Sequence, residues 1–197
     1  MRIVNLPRPE SGHPDIAISG LHLRIVGFGE QTIVPVADIV ATLGALPPHH
    51  LVGLRDILYA PYWTATPTCP TRPPHLAGLP QAEYIQAERR IAVYTISAPE
   101  LFRHVLLHEV GHHVFFITLN STVKKRWVTE VCRGAASISA YGATSAAEDF
   151  AESYAFFAYA PERLQQFGSR HAFMRDWVFP DRPGTRKERN DSGSVAP

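Results

Sequence analysis

Residues 97–120 read SAPELFRHVLLHEVGHHVFFITLN, and this stretch predicts one long helix at the centre of the fold. Ser97 is followed three residues later by Glu100, a spacing typical of a capping box, and Pro99 is tolerated in a first helical turn. We expect the helix to begin at this signal and to end near Asn120.

The sequence HEVGH at residues 108–112 fits the pattern H-E-x-x-H inside this predicted helix. Residues four apart lie on one helical face, so the imidazoles of His108 and His112 can bind one Zn²⁺ ion. Glu109 would lie beside the ion as the general base that takes a proton from water. The helix is otherwise largely apolar, and unpaired polar groups are costly there, which favours a metal site.

A catalytic zinc ion needs one more protein ligand and an open position. His113 points about 100° away from His112 on an ideal helix, and His104 would lie along the helix axis, so neither is predicted to bind the metal. A third histidine of the metzincin type is excluded, because Thr118 occupies its place. The ligand must therefore come from elsewhere in the chain.

Two carboxylates on a later predicted helix are the candidates for this ligand. Glu148 and Glu152 are four residues apart, and either could reach the metal. Ser145 and Glu148 also have the spacing of a capping box, which would leave Glu152 as the ligand. Residue spacing alone keeps both possibilities open.

The segment YGATSAAEDFAESYA at residues 141–155, following HEVGH, resembles the catalytic domain of anthrax lethal factor and the related bacterial Pro-Pro endopeptidases. The resemblance extends over about residues 97–157 and implies a zincin metallopeptidase. It implies Glu148 as the third zinc ligand, Tyr141 as a catalytic tyrosine and Glu152 as the acid that orients a zinc histidine.

The resemblance gives Tyr141 the role of a hydrogen-bond donor to the developing oxyanion or to the departing amine. From the sequence alone, Tyr141 could also be an ordinary packing residue. The proline-rich segment 61–80 matches none of the family's substrate loops. Substrate preference, including any preference for proline, is therefore not carried over.

The rest of the chain indicates an α+β fold of the zincin-like class, with a small mixed sheet packed on the active-site helix and a mainly helical C-terminal half. We expect a loosely ordered segment at 1–18, one catalytic domain at 19–179 and a disordered tail at 180–197. The six prolines between 61 and 80 predict a long loop. Strands are predicted at 21–26, 51–59 and 91–96, and further helices at 35–46, 124–138, 145–159 and 161–178.

Composition limits the classes of partner and the compartment. The chain has 197 residues, and 19 basic residues nearly balance 18 acidic ones, so nothing indicates nucleic acid or an anionic membrane as partner. The apolar run 101–119 is interrupted by charged and histidine residues, which excludes a membrane span. The two cysteines, Cys69 and Cys132, do not indicate a disulfide framework. Without a visible signal peptide the chain reads as cytoplasmic, or as secreted if a leader has been removed.

These patterns predict a zinc-dependent peptidase, most simply an endopeptidase, acting on a protein or peptide. The substrate is expected to extend along the strand at 91–96, by strand addition to a sheet edge. One alternative is a zinc-containing intracellular regulator that binds a protein partner with little or no peptidase activity, resembling the Mlc titration factor branch of related zincins. Another is a module in which zinc only stabilises the fold. The sequence leaves the oligomeric state open.

Overall fold

A mixed sheet of five strands forms the first part of the computed structural model, which describes residues 16–18, 21–61, 80–134 and 136–180. The spatial order is β1-β2-β3-β5-β4; β2, β3 and β5 are parallel, whereas β1 and β4 are antiparallel to their neighbours. The predicted small mixed sheet is therefore confirmed. The strands are β1 (Ile16–Ile18), β2 (Leu21–Val26), β3 (Asp56–Tyr59), β4 (Ala82–Ile85) and β5 (Arg90–Val93).

The strand predictions were right in place but not always in length. The strand at 21–26 is confirmed, whereas the one predicted at 51–59 begins only at Asp56. Pro48–Leu51 forms a 3-10 turn instead, and Gly53 turns the chain with φ 83°, which only glycine adopts readily. The strand predicted at 91–96 ends at Val93, and β4 was not predicted at all.

The position of β5 corrects the predicted path of the substrate. This strand pairs with β3 on one side and with β4 on the other, so it offers no edge for an added strand. In the described part of the chain, no strand pairs with the outer side of β4. The available edge beside the long helix is therefore β4.

The long helix, α2, spans Pro99–His113 and continues as a π-helical turn over Val114–Thr118. Its predicted capping box is wrong: the N-cap is Ala98, with no side-chain hydrogen bond. The Ala98 carbonyl accepts a hydrogen bond from the Phe102 amide at 2.9 Å, and Pro99 has no amide hydrogen that needs a partner. The predicted end of the helix near residue 120 is confirmed.

Helices dominate the chain after α2, as predicted. The helix predicted at 124–138 begins earlier, at Ser121, because the Asn120 side chain accepts a hydrogen bond from the Val123 amide at 3.0 Å, and it ends earlier, at Cys132. The helix predicted at 161–178 is divided by a turn at 165–167. The helices are α1 (Val36–Gly44), α3 (Ser121–Arg126, continuing to Cys132), α4 (Ala146–Tyr159), α5 (Pro161–Leu164) and α6 (Gly168–Phe173, continuing to Val178).

The helices α2 and α4 pack closely at Gly111. A Cβ atom at this position would lie 2.9 Å from Cα of Ala151 and 3.2 Å from Cβ of Tyr154. Only a glycine in the HEVGH sequence therefore allows the backbones to come this near. The close approach brings the carboxylates of α4 to the histidines of α2.

Of the segments predicted at 1–18 and 180–197, only residues 16–18 and 180 are among the described residues, and most of the predicted loop at 61–80 lies outside them. Ile16–Ile18, within the predicted N-terminal segment, pairs with β2. Within the described ranges, no helix is long and apolar enough to cross a membrane.

Candidate metal centre

Three side chains from α2 and α4 converge at one point. Nε2 of His108 lies 3.0 Å from Oε2 of Glu148, and Nε2 of His112 lies 3.2 Å from the same oxygen. The two histidines project from successive turns of α2, while Glu148 lies in the first turn of α4. The structure thus brings together the three residues that the sequence analysis selected as metal ligands.

The donor set fits a zinc ion. Zinc bonds of about 2.0–2.1 Å in tetrahedral geometry separate two ligand atoms by roughly 3.3 Å. The separations of 3.0 and 3.2 Å from the Glu148 oxygen to the histidine nitrogens are close to this value. All three ligand atoms lie within 4.8 Å of one another. Two imidazoles and one carboxylate are also the protein ligands of many catalytic zinc sites.

Glu152 lies on the other side of the His108 ring. Its Oε1 is 3.2 Å from Nδ1 of His108, where it can accept a hydrogen bond from the ring N–H. This is the position expected of a carboxylate that orients a zinc histidine. The structure therefore brings Glu148, rather than Glu152, to the ligand position at Nε2.

The alternative capping box at Ser145 forms in part without displacing Glu148. The Ser145 hydroxyl caps α4 by accepting a hydrogen bond from the Glu148 amide at 3.1 Å. The Glu148 side chain nevertheless lies against the two histidines. Capping uses the backbone of Glu148 and metal binding would use its side chain, so the two roles are compatible.

Contacts between these groups shift their pKa values. Burial disfavours the charged form of His108, but hydrogen bonds with Glu148 and Glu152 outweigh it and raise the pKa of His108 to about 9. For both carboxyls burial raises the pKa, whereas hydrogen bonds and charges of the histidines lower it. The histidines prevail: the pKa of Glu148 is well below its ordinary value, and that of Glu152 falls to about 2.

Glu109 is buried next to the candidate metal ligands on α2, with 7 % of its surface exposed. Burial raises the pKa of its carboxyl, against the effects of His108 and His112. The backbone amide of Tyr84 on the edge strand β4 donates a hydrogen bond to the carboxylate. The edge strand β4 thus contacts the Glu109 carboxylate through its backbone.

Tyr141 lies at the rim of the centre and is 58 % exposed. Its ring centroid is 5.8 Å from that of His108. Burial of the hydroxyl end and the nearby Glu148 carboxylate raise the pKa of Tyr141 to about 12. The phenol keeps its proton at neutral pH, as an ordinary tyrosine also does, and its role as a donor rather than a packing residue stays a prediction.

The two other histidines of α2, His104 and His113, form hydrogen bonds with residues other than His108, His112 and Glu148. His113 is buried, accepts a hydrogen bond from the Tyr84 hydroxyl at 2.9 Å and lies 3.1 Å from the Val52 carbonyl oxygen. His104 lies 3.2 Å from Glu152 and 3.3 Å from the Tyr159 hydroxyl. His104, His108 and Glu152 form a second group whose ligand atoms lie within 4.8 Å.

Sequence reasoning missed a buried ion pair next to the centre. Arg170 of α6 donates to both carboxylate oxygens of Asp149, at 2.9–3.1 Å, and only 1 % of Arg170 is exposed. The Ser137 hydroxyl donates to the same carboxylate at 2.6 Å. Asp149 adjoins Glu148 in sequence, but no local pattern pairs it with an arginine 21 residues later.

A cavity of about 240 Å³ opens beside the centre. It lies between the start of β4 and the exposed side of α2, and Tyr141 is at its margin. Its lining joins the edge strand, the predicted general base and the second group of ligand atoms: Pro80, Gln81, Ala82, His104, Val105, His108, Glu109, Tyr141 and Glu152.

No family model matches the chain, and no curated protein is significantly similar to it in sequence.

Proposed function

We propose that the chain is a zinc-dependent peptidase with a zincin-like fold, which hydrolyses a peptide bond in a protein or peptide. The observation that carries the proposal is the convergence of His108 Nε2, His112 Nε2 and Glu148 Oε2 beside the Glu109 carboxylate. The mixed sheet supports it, because an antiparallel edge strand runs next to the helix that carries the histidines.

A zinc ion held by these three residues would supply a Lewis acid that polarises a carbonyl and makes a water molecule more acidic. Glu109 takes a proton from that water in our scheme. Burial raises the pKa of this carboxyl towards neutral pH. A general base is most effective when its pKa lies near the pH at which the enzyme works. The water oxygen bonds to the carbonyl carbon, and as the carbon–nitrogen bond breaks the same carboxyl can return the proton to the departing amine.

Tyr141 donates a hydrogen bond to the oxyanion or to the amine in this scheme. The phenol is protonated at neutral pH, since the ordinary pKa of a tyrosine, about 10, already lies well above 7, and burial raises it further to about 12. It is also exposed enough to meet a substrate, and it lies on the rim of the cavity. A closed zinc site with a purely structural role would have no use for such a donor.

The substrate lies along β4 in this proposal. In an antiparallel pair, alternate residues point their amides and carbonyls away from the neighbouring strand. Gln81 accepts a hydrogen bond from the Tyr94 amide at 2.8 Å, so Ala82 directs its own groups to the outer edge. Ala82 also lines the cavity. An extended peptide can pair with this edge and present a carbonyl to the metal centre.

The test is cleavage of a peptide library by the purified, zinc-loaded protein. Glu109→Gln should retain zinc and the unfolding midpoint but lose about 10²- to 10⁴-fold in cleavage rate, because the base is removed. Glu100→Gln changes an exposed glutamate of the same helix and should have no effect. Full activity of Glu109→Gln would refute the mechanism. Partner binding by a chain that cleaves no peptide would favour the regulator instead.

A further inference from the structure

One hydroxyl group joins the metal centre to the segment that carries Tyr141. Oγ of Ser139 donates a hydrogen bond to Oε2 of Glu152 at 3.2 Å. Oγ of Ser139 also accepts a hydrogen bond from the Gly142 amide at 2.9 Å. The turn that follows Tyr141 is thereby tied to a side chain of α4.

The backbone around Tyr141 forms a tight turn. The Ala143 amide donates to the Ser139 carbonyl at 3.1 Å, and the Thr144 amide and hydroxyl both donate to the Tyr141 carbonyl, at 3.0 and 2.7 Å. A Cβ atom on Gly142 would lie 2.6 Å from the Ser137 hydroxyl, so a side chain there would have to displace Ser137. The path of the backbone on both sides of Tyr141 is thus defined.

The Tyr141 side chain itself has little packing to hold it. It is 58 % exposed, and its ring lies 5.8 Å from the ring of His108 without stacking on it. The phenol hydrogen-bonds to the Glu148 carboxylate, and the backbone that carries the ring sets where the phenol starts from. Among the described contacts, Ser139 supplies the hydrogen bonds that join this backbone to the metal centre.

The two oxygens of Glu152 connect both parts of the centre. Oε1 lies 3.2 Å from Nδ1 of His108, while Oε2 accepts the Ser139 hydrogen bond. The carboxylate that orients a predicted zinc ligand therefore also fixes the turn after Tyr141. Glu152 thus links the His108 ring to the turn that follows Tyr141.

We propose that Ser139 is a positioning residue, which acts through Glu152 and Gly142 to hold Tyr141 over the metal centre. The inference rests on the proposed peptidase function. Ser139 does not touch the substrate or the metal in this arrangement. Its loss should leave the metal ligands in place but let the phenol move away from the oxyanion position.

Kinetics of Ser139→Ala test the proposal. Displacing a catalytic group by about 1 Å can cost up to 10²-fold, so we expect kcat to fall by about 10- to 100-fold while KM and zinc content change little. Ser139→Thr keeps the hydroxyl and should restore most of the rate. Ser169→Ala, an exposed serine on α6, is the matched control and should behave as the parent protein.

A double-mutant cycle separates positioning from a general structural role. If Ser139 acts through Tyr141, then Ser139→Ala should cause no further loss of kcat in a Tyr141→Phe background, where the donor is already absent. An equal fold-loss in both backgrounds would overturn the proposal, because the serine would then act by another route.

Hydrogen exchange gives a readout that does not depend on activity. In Ser139→Ala the Gly142 amide loses its acceptor, so its exchange should accelerate, together with that of its neighbours in 141–144, while α2 stays protected. Unchanged exchange at Gly142 would overturn the proposal whatever the kinetics show. A chain that cleaves no peptide would refute the proposed function, and Gly142 exchange would still decide whether Ser139 holds the turn.

Discussion

Oε1 of Glu152 lies 3.2 Å from Nδ1 of His108, on the side of the ring that faces away from the proposed metal ligands. The other nitrogen of the ring, Nε2, is directed towards Glu148. One ion bound at Nε2 cannot also be bound by the carboxylate at Nδ1. The two glutamates of α4, although four residues apart on one helix, therefore contact different nitrogens of the His108 ring.

This separation predicts different effects of removing each charge. Glu148→Gln should weaken zinc binding more than Glu152→Gln does, because it replaces a charged ligand with a neutral amide. Glu152→Gln should weaken it by about 10- to 100-fold, the usual range for groups that orient a ligand. Competition with a chromophoric zinc chelator measures both affinities. If Glu148→Gln kept full affinity and Glu152→Gln lost it, the assignment of the two carboxylates would be reversed.

The parts of the site that lie within single helices could be predicted from sequence. The spacing of His108 and His112, and of Glu148 and Glu152, follows the helical repeat, so local periodicity is sufficient to group them. Convergence of the two pairs could not be derived from either helix. It depends on how closely α2 and α4 approach, which Gly111 controls.

The sheet was harder to predict than the helices. The strand β4 is only four residues long and follows a proline-rich stretch, so period-two alternation had too few positions to detect it. The missing strand led directly to the wrong choice of β5 as the edge. The pair of Asp149 and Arg170 was missed for another reason: contacts between distant segments leave no periodic signal in one sequence.

Gly111 should be intolerant of a side chain. In Gly111→Ala the new Cβ would lie 2.9 Å from Cα of Ala151, so α2 and α4 must separate. Overpacking of this kind costs about 1–3 kcal/mol in the free energy of unfolding, and zinc affinity should fall as Glu148 moves away. Chemical denaturation and zinc titration measure the two effects.

Gly44→Ala is the control for this substitution. Among the described residues, nothing beyond the chain neighbours and the helix's own backbone lies within 4 Å of a Cβ at Gly44, which is the last residue of α1. The alanine should leave stability unchanged or raise it by about 0.4–1 kcal/mol, through a smaller entropy of the unfolded chain. Equal stabilities for the two variants would show that Gly111 does not limit the approach of the helices.

Arg170→Met should be among the most destabilising single changes near the site. It leaves the buried Asp149 carboxylate without its bidentate partner, and breaking a buried pair costs about 3–5 kcal/mol. Arg170→Lys should not restore stability, because an ammonium group cannot contact both oxygens in the same planar geometry. Urea denaturation measures the loss. Glu130→Gln, which breaks an exposed i,i+4 pair with Arg126, should cost only about 0.3–0.5 kcal/mol.

Zinc affinity should rise with pH over the neutral range. In the metal-free protein the pKa of His108 is raised to about 9, so below that pH the ring carries a proton that zinc must displace. The affinity should therefore increase towards tenfold per pH unit and level off above pH about 9. Glu152→Gln removes one of the contacts that raise this pKa, so its plateau should begin at lower pH. Calorimetric titration in buffers of different ionisation enthalpy counts the protons released; an affinity independent of pH between about 7 and 9 would contradict the role of His108 as a ligand.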